Sequence, residues 1–403
     1  MKTRVLFLDD ESLALQGLQR LLRNMRASWD MAFVDSGACA LDLMEQSPFD
    51  IVVTDMLMPG MNGADFLNEI RKRHPHTIRL ILSGHAEKDL ILQCIGSAHQ
   101  FLAKPCPPEV LKAALTRVSL LNATLQENDA LRRFISQMDR FPSVPSLYID
   151  LAETLLHADV ALDEVTKIVI QDPGVTAATL KMVNSGFFGA AREITGMAEA
   201  ISCLGLDTFK SLAFNLNAFS PFDAAMFREK ALANLWHHSV DVAVAARRIA
   251  EAEGTDKRCL AAAHTAGLLH DIGKFVMVLF SPERHWEAST LADEQKMPLW
   301  MAEQQIFGVS HAETGAYLLG LWGLPPSIVE AVACHHDPMR ATAKAFDPLS
   351  AVHAANALVQ DHTEFLGQRP VSEIDSTYLK QIGRLDRLEV WRGVARDPIA
   401  KVC

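Results

Sequence analysis

Short apolar runs separated by amphipathic stretches dominate the first third of the chain. Each run is continuous, as expected for strands that are buried on both faces of a parallel sheet. The runs are Val5–Leu8, Ile51–Thr54, Leu80–Leu82 and Phe101–Ala103. Apolar residues at helical spacing fill the intervals, over Leu13–Leu22, Ala38–Met44, Ala64–Ile70 and Asp89–Ile95. This alternation predicts a doubly wound, flavodoxin-like α/β domain with five parallel strands.

Charged and polar residues stand where the predicted strands end. Asp9-Asp10, Asp55, Ser83 and Lys104 each follow or close an apolar run. The ligand site of a doubly wound sheet lies at the carboxyl ends of its strands, so these side chains should meet there. Carboxylates that crowd together need a cation, and Mg²⁺ prefers a few carboxylates with waters and a phosphoryl oxygen. The pattern therefore predicts a magnesium site.

Asp55 is the residue of this group that is best placed to act as a nucleophile. It precedes the turn Met56-Leu57-Met58-Pro59-Gly60, which leaves its carboxylate accessible, and aspartyl phosphate is an established covalent intermediate. Ser83 can donate a hydrogen bond to a new phosphoryl oxygen, and Lys104 supplies the positive charge that phosphoryl transfer requires. The Lys104-Pro105 bond is a candidate cis peptide.

A helical segment over residues 107–139 follows the α/β domain. Leu111, Val118 and Leu125 repeat by sevens within it. Two interpretations remain open for this segment. One is a signalling helix that pairs with a second chain, and the other is a last domain helix that continues as a connector.

Residues 140–403 have a helical pattern almost throughout. Gly and Pro occur mainly at boundaries, as in Asp172-Pro173-Gly174 and Gly323-Leu324-Pro325-Pro326. We therefore predict an all-α domain over residues 140–403, with a motif-bearing core at 140–340 and a helical tail at 341–403. The long helix of the preceding segment would join it to the α/β domain.

Composition narrows the classes of function. The 403 residues are 49% hydrophobic and 22% charged, which is typical of globular proteins, and the net charge of −11 argues against binding nucleic acid. The seven cysteines are scattered singly, without a C-x-x-C pair, as in reduced intracellular proteins. No apolar stretch approaches the ~20 residues that span a bilayer. We therefore expect a cytoplasmic protein without a membrane partner.

The strand-end residues closely resemble those of the receiver domain of two-component response regulators, over about residues 1–120. The resemblance implies that a histidine kinase phosphorylates Asp55. It also implies that Mg²⁺ is bound directly by Asp10, Asp55 and the backbone carbonyl of Leu57, and through water by Asp9. Ser83 stands at the family's Ser or Thr position, Lys104 at its lysine, and Phe101 at its switching aromatic.

Histidines are concentrated in the second half of the chain, in Trp236-His237-His238-Ser239 and Gly267 to Lys274, and later at His311 and at His335-His336-Asp337. A His-Asp pair met by histidines from other helices is how metal-dependent phosphohydrolases hold their ions. The motifs over about residues 139–340 resemble the HD-related output domain, HDOD. Such domains are generally regarded as non-catalytic relatives of the HD-GYP phosphodiesterases, which hydrolyse cyclic di-GMP.

Seven residues match positions of the HD-GYP metal site: His238, His270, Asp271, Lys274, His311, His335 and His336. Three departures oppose catalysis, because Asn234 and Asn356 replace anionic ligands and no Gly-Tyr-Pro follows His335-His336. Three interpretations of these residues stay open. They are a metal-free polar network, a single bound transition metal without useful catalysis, and an active phosphohydrolase.

These features favour a response regulator whose helical domain binds or controls an unidentified downstream protein after Asp55 is phosphorylated. The first alternative is a phosphorylation-gated hydrolase of cyclic di-GMP or a nucleotide. A DNA-binding regulator is the second alternative, but no helix-turn-helix with a basic recognition helix is evident. A homodimer could form through the linker helix or a receiver face.

Overall fold

In the computed structural model, five parallel strands form one sheet in the order β2-β1-β3-β4-β5. The strands are β1 (Thr3–Leu8), β2 (Trp29–Val34), β3 (Ile51–Asp55), β4 (Ile78–Ser83) and β5 (Gln100–Ala103). Leu8 pairs with Thr54, Asp55 with Leu82, and Ser83 with Ala103. This register brings the carboxyl ends of β1, β3, β4 and β5 to one edge of the sheet. This is the flavodoxin-like order, and it confirms the predicted fold class.

The structure describes residues 2–84, 96–124, 128–138, 145–157, 160–185, 188, 192–217, 230–341, 345–359 and 373–396. The helix predicted over Asp89–Ile95 lies outside the described residues. The helices of the α/β domain are α1 (Ser12–Leu21), α2 (Gly37–Gln46), α3 (Gly63–Arg73) and α4 (Pro108–Thr124).

Strand β2 carries no continuous apolar run, and the sequence pattern did not locate it. It lies at the edge of the sheet beside β1, and most of its residues are only half-buried. Asp30 on this strand is exposed, with its carboxylate 3.4 Å from Nε of Arg4. An edge strand needs less apolar surface than a central one, which explains the weak signal.

The segment predicted as one long helix contains two helices. Helix α4 ends at Thr124, and α5 covers Asp129–Gln137. Asn128 between them has the non-helical angles φ −123° and ψ 71°, and its side chain accepts the N–H of Leu131 at 3.1 Å. Asparagine is among the best N-caps, so Asn128 begins a new helix inside the segment that was predicted as one.

A buried arginine holds α5 on the sheet. The guanidinium of Arg79, in β4, donates to the carbonyl oxygens of Ser97 at 2.9 Å and of Ser136, in α5, at 2.8 Å. Nδ1 of His99 accepts the N–H of Arg79 at 3.0 Å, so its proton is on Nε2, 2.8 Å from the Ser136 carbonyl. Burial and then the Arg79 charge hold the pKa of His99 well below its ordinary value.

The chain forms two compact units. The first is mainly Met1–Arg140, with Lys181–Arg192 and Gly320–Gly323; the second comprises Phe141–Leu180, Glu193–Leu319 and Leu324–Cys403. Helix α5 thus belongs to the first unit. Among the described residues, no helix could cross a membrane, because none is both long and apolar enough.

Beyond α5, every regular element among the described residues is helical. The α-helices are α6 (Pro145–Leu156), α7 (Leu162–Val169), α8 (Pro173–Val183), α9 (Met197–Leu204), α10 (Leu206–Asn217), α11 (Lys230–Ala252), α12 (Lys257–Leu269), α13 (Ile272–Phe280), α14 (Pro282–Gln295), α15 (Leu299–Phe307), α16 (His311–Leu321), α17 (Pro326–Cys334), α18 (Pro348–Leu358), α19 (Ser376–Gln381) and α20 (Leu388–Arg396). Short 3-10 turns stand at Arg23–Met25, Pro338–Arg340 and Leu385–Arg387.

Helix α11 is the central packing element of the second unit, because α12, α18 and α20 all pack against it. The tail helix α20 is also fixed by polar contacts. Glu253, just past the end of α11, accepts hydrogen bonds from Trp391 Nε1 and Arg387 Nε, both at 2.8 Å. The described tail helices α18 and α20 are therefore part of the same helical unit.

Candidate functional site

The strand ends form a cluster of acids around one lysine, here called the acid pocket: Asp9, Asp10, Asp55, Ser83 and Lys104. Asp9 is 2% exposed and Asp55 8%, whereas Asp10 is exposed. Nζ of Lys104 is 2.8 Å from Oδ2 of Asp9 and forms a second ion pair with Asp55. The lysine thus bridges the ends of β1 and β3.

The charges of the acid pocket suit a divalent cation. Three carboxylates share one lysine, which leaves a net charge of about −2 if all four groups are ionised. Burial alone would lower the pKa of Lys104, but its hydrogen bonds to Asp55 and Asp9 raise the pKa above its ordinary value. The oxygen-rich donor set and its surplus negative charge fit Mg²⁺.

The turn after Asp55 folds back on the end of β3. The N–H of Gly63 donates to the carbonyl oxygen of Met56 at 2.9 Å, and a Cβ at Gly63 would lie 2.1 Å from the carbonyl oxygen of Asp55. Only glycine permits this approach. The Leu57 N–H donates to Asp55 Oδ2 at 3.2 Å, which orients the carboxylate. The sequence pattern missed Gly63, because nothing in it reveals a backbone contact eight residues away.

The remaining predicted residues of the pocket lie on β4 and β5. Ser83 is fully buried at the end of β4, and the Lys104 N–H donates to its carbonyl oxygen at 2.7 Å. Phe101 is 1% exposed in β5. The Lys104–Pro105 peptide is cis, as predicted. The structure therefore gathers Asp9, Asp55, Ser83 and Lys104 at one edge of the sheet.

Glycines allow the helices of the second unit to approach closely around a second cluster of polar side chains. A Cβ at Gly267, in α12, would lie 2.8 Å from Cα of Ala243 in α11. A Cβ at Gly273, in α13, would lie 1.9 Å from the carbonyl oxygen of His311 in α16. Both distances are shorter than real Cβ contacts, so larger residues at these positions would force the helices apart.

The polar cluster between these helices, here called the histidine cluster, contains all seven residues that were predicted for it. They are His238, His270, Asp271, Lys274, His311, His335 and His336. All are buried except His336, which is half-buried. They come from α11, the α12–α13 junction, the start of α16 and the end of α17.

Asp271 is the common neighbour in the histidine cluster and is fully buried. Its Oδ2 lies 2.6 Å from Lys274 Nζ and 3.3 Å from His270 Nε2. Its Oδ1 lies 3.2 Å from His311 Nε2 and 3.8 Å from His335 Nε2. Burial alone would raise the pKa of Asp271, but His270 and Lys274 hold that pKa well below its ordinary value. Asp271 is therefore an anion.

The Nδ1 atoms of three histidines are already engaged. His270 Nδ1 lies 2.7 Å from the carbonyl oxygen of Gly267, and His335 Nδ1 lies 2.8 Å from that of Val332. His311 Nδ1 lies 2.6 Å from a carboxylate oxygen of Glu303. Because carbonyl and carboxylate oxygens only accept, Nδ1 carries the proton in each ring. When the rings are neutral, each Nε2 therefore presents a lone pair beside Asp271.

Burial keeps most of these rings neutral. It lowers the pKa of His270, and it lowers the pKa values of His335 and His336 well below the ordinary histidine value. In the described part of the chain, the Nε2 atoms of His270 and His335 are buried without a hydrogen-bond partner. Neutral imidazoles with such lone pairs are good metal ligands. Without a metal or a hydrogen-bond partner, burying these lone pairs in an apolar environment is unfavourable.

The donor atoms form two overlapping groups, each with its atoms within 4.8 Å of one another. The larger group consists of Asp271, His311, His335 and His336. The smaller group consists of His238, His270 and Asp271. Three imidazoles and one carboxylate suit a borderline divalent ion such as Zn²⁺, Mn²⁺ or Fe²⁺.

An amide weakens the smaller group. Nε2 of His238 lies 3.0 Å from Oδ1 of Asn356, in α18, so this imidazole is engaged with a neutral side chain. Asn234, half-buried in α11, is the other predicted replacement of an acid. Because Asn356 presents an amide and not a carboxylate to His238, the smaller group has only the charge of Asp271 to attract a second ion.

Glu303 completes the histidine cluster, and the sequence motifs did not identify it. It lies in α15, eight residues before His311, and is fully buried. Burial alone would lower the pKa of His311, but Glu303, together with Asp271, raises that pKa above its ordinary value. The available signal was a single acid in the otherwise uncharged stretch Leu299-Trp300-Met301-Ala302-Glu303-Gln304-Gln305-Ile306-Phe307.

A parallel sheet with acids, a serine and a lysine at its strand ends is the arrangement of a receiver domain. The model of the response regulator receiver domain matches residues 5–116, and the model of the HDOD domain matches residues 141–338. The chemotaxis protein CheY of Pseudomonas aeruginosa is 30% identical over 118 residues, which are 28% of this chain and 94% of that protein. The chain therefore belongs to the response regulators, with an N-terminal receiver domain and an HDOD domain after it.

Two further similarities extend beyond the receiver domain. An uncharacterized protein of Treponema pallidum is 26% identical over 244 residues, which are 60% of this chain but only 46% of that protein. An HDOD domain protein from Geobacter sulfurreducens, solved at 1.90 Å and of unknown function, is 26% identical. That comparison covers 71% of this chain and 99% of the solved one, with a TM-score of 0.37.

Proposed function

We propose that the protein receives a phosphoryl group on Asp55 from a histidine kinase. The observation that carries this proposal is the ion pair of Lys104 with both Asp9 and Asp55 at the strand ends. Receiver domains generally depend on Mg²⁺, and Asp9, Asp10, Asp55 and the Leu57 carbonyl would hold that ion here. The ion would neutralise charge on the transferring phosphoryl group.

The phosphoryl group then changes the balance of charge in the acid pocket. Ser83 can donate its hydroxyl hydrogen to a phosphoryl oxygen, and Lys104 can exchange its pairing with Asp9 for one with the new oxygens. Both residues lie at the ends of β4 and β5, and Phe101 lies on β5. The domain would pass this rearrangement to the HDOD domain, in the cytoplasm, and control a contact with a downstream protein.

Labelling with acetyl phosphate tests the first step. The wild-type chain should gain the mass of one phosphoryl group in Mg²⁺ and lose the labelling in a chelator. Asp55→Asn should abolish labelling, whereas Asp65→Asn, an exposed acid in the first turn of α3, should label normally. Full labelling of Asp55→Asn would refute the assignment.

We further propose that the histidine cluster holds a single transition-metal ion in a non-catalytic HDOD domain. Asp271, His311, His335 and His336 would be its ligands. The proximity of their donor atoms supports this, together with the buried Nε2 of His335, which has no hydrogen-bond partner among the described residues. A metal in such a site can act as a Lewis acid or activate water. The amide of Asn356 beside His238 weighs against the second ion of a two-metal hydrolase.

Metal analysis of the purified chain discriminates between the three interpretations of the histidine cluster. The proposal predicts one equivalent of metal, its loss in His335→Ala, and no hydrolysis of cyclic di-GMP in Mn²⁺ or Fe²⁺. Two equivalents with turnover would establish the phosphohydrolase. A chain that binds no metal, even when Zn²⁺ is added, would establish the metal-free network.

A further inference from the structure

We propose that Glu303 is the positioning residue that fixes the ring of His311, with Nδ1–H held by the Glu303 carboxylate and Nε2 facing Asp271. This inference rests on the proposed metal site and deepens it, because it assigns a residue outside the ligand set. Glu303 touches neither Asp271 nor another histidine of the larger donor group through any hydrogen bond among the described residues. Its action would therefore be exerted through His311.

One oxygen of Glu303 makes two contacts with the same residue. Its Oε2 accepts the backbone N–H of His311 at 2.7 Å and the ring Nδ1–H of His311 at 2.6 Å. The first contact satisfies one of the N–H groups that every helix leaves unpaired in its first turn. The second contact fixes both the tautomer and the rotation of the ring. A single carboxylate oxygen thus binds the start of α16 and also orients the side chain of the first residue of that helix.

The position of His311 in its helix explains why a side chain, and not a backbone carbonyl group, accepts its Nδ1–H. His270 and His335 directly follow the last residues of α12 and α17, where the carbonyl oxygens three residues earlier, of Gly267 and Val332, can accept Nδ1–H. Unpaired carbonyl groups occur only at the C-terminal end of a helix. His311 is instead the first residue of α16, so no preceding helical turn supplies such an oxygen. Glu303, from the neighbouring α15, takes that place.

The burial of Glu303 has a cost that its contacts with His311 only partly offset. The residue is 0% exposed, and its Oε1 has no hydrogen-bond partner in the part of the chain that the structure describes. Burying a charged oxygen without a partner is unfavourable. A carboxylate is nevertheless better suited than an amide to raise the electron density on the imidazole, and such outer partners orient metal-bound histidines.

Two substitutions separate positioning from packing. Glu303→Leu keeps the apolar stem and removes the acceptor, whereas Glu303→Gln retains an oxygen that can accept Nδ1–H. The matched control is Glu313→Gln, because Glu313 also binds the start of α16, through Ser310, without touching the His311 ring. All three variants are made in the full chain.

The first measurement is ¹⁵N NMR of histidine-labelled, metal-free protein at alkaline pH, where the rings are neutral, with His311→Gln to assign the signal. We expect the His311 proton on Nδ1 in the wild type, in Glu303→Gln and in Glu313→Gln, and on Nε2 in Glu303→Leu. A proton that stays on Nδ1 in Glu303→Leu would overturn the proposal, whatever the protein binds.

The second measurement is the affinity for Zn²⁺, by competition with a chromophoric chelator. Glu303→Leu should bind about 10- to 100-fold more weakly than wild type, with Glu303→Gln between them and Glu313→Gln unchanged. Equal affinities in all four proteins would refute the positioning role. If the wild type binds no Zn²⁺ but the NMR result is as expected, the metal proposal fails while the positioning role of Glu303 stands.

Discussion

The acid pocket and the histidine cluster are each organised around an aspartate that pairs with a lysine, but the two sites differ in how they are assembled. Asp55 and Lys104 stand at the ends of strands whose register is fixed by backbone hydrogen bonds, and the Lys104 side chain is 33% exposed. Asp271 and Lys274 stand between packed helices, with the aspartate fully buried. Strand register places the first pair, whereas close helix packing places the second.

The two sites also differ in their balance of charges and in how far those charges are enclosed. The acid pocket has more carboxylates than cations and lies at an edge that a small anion or cation can reach, so it is suited to transient chemistry. The histidine cluster encloses its charges, with Lys274 beside Asp271 and Glu303 beside His311. Removing one partner from an enclosed pair is costly, so the cluster is suited to permanent binding and structure.

Substitution at the helix contact should give the largest effect. In Gly273→Ala the new methyl group would lie 1.9 Å from the backbone oxygen of His311, so helix α13 or α16 must shift. We expect a loss of about 4 kcal/mol in the free energy of unfolding, measured by urea denaturation. The control Gly393→Ala, on α20 with nothing within 4 Å of the new Cβ, should be neutral or stabilise by up to about 1 kcal/mol. Wild-type stability of Gly273→Ala would contradict the packing argument.

The lysine of the acid pocket should give the next largest effect. Lys104→Met removes the cation that would face the transferring phosphoryl group in the proposed reaction. Labelling by acetyl phosphate should therefore slow roughly 100-fold, about 3 kcal/mol of barrier. Mg²⁺ affinity should not fall, because Asp9 and Asp55 lose a competing positive charge. Lys112→Met, which removes an exposed pair with Glu109, is the control. A parallel loss of Mg²⁺ affinity would show that the pocket has collapsed instead.

These two sites also show what a sequence can predict. Asp9, Asp55, Ser83 and Lys104 could be placed together because parallel strands bring their ends to one edge whatever the helices do. Glu303 could not be assigned to the histidine cluster from the sequence, because its contact with His311 depends on how helices α15 and α16 pack. The same is true of Asn356. The motif indicates that it replaces an acid, but its contact with His238 depends on where α18 packs.

Two local structural preferences compete at Asn128, where one predicted helix is replaced by two. The heptad of Leu111, Val118 and Leu125 favours one continuous helix, but the capping side chain of Asn128 favours a new start. The buried Arg79 then fixes the second helix on the receiver sheet through Ser136. Sequence periodicity indicates the apolar face of a helix. It could not reveal this polar contact, which joins two residues 57 positions apart in the sequence.

Arg79 offers a smaller test within the receiver domain. Arg79→Met leaves the carbonyl oxygens of Ser97 and Ser136 without this buried donor, so the unfolding free energy should fall by about 2 kcal/mol. Hydrogen exchange should rise in α5 more than in β1. Arg73→Met, which removes exposed pairs with Glu45 and Glu69, should change stability by less than about 1 kcal/mol. Unchanged exchange in α5 would show that the helix is held by other contacts.

The smallest expected effect is on the dependence of stability on pH. The pKa of His99 lies well below 6.5 in the folded protein, so the unfolded chain binds an additional proton once the pH falls below about 6.5. The stabilisation is complete above that value and is lost as the pH falls, by at most about 1.4 kcal/mol per pH unit. His99→Gln should remove this part of the slope in urea denaturation between pH 7 and pH 5. An unchanged slope would show that His99 is not the group responsible.

Hydrogen exchange of the full chain, with and without phosphorylation, tests most directly whether the acid pocket controls the HDOD domain. The comparison is between wild type and Asp55→Asn, both treated with acetyl phosphate and Mg²⁺. We expect altered exchange at the ends of β4 and β5 and also within the HDOD helices, in the wild type alone. Changes confined to the receiver domain, or identical changes in Asp55→Asn, would contradict it.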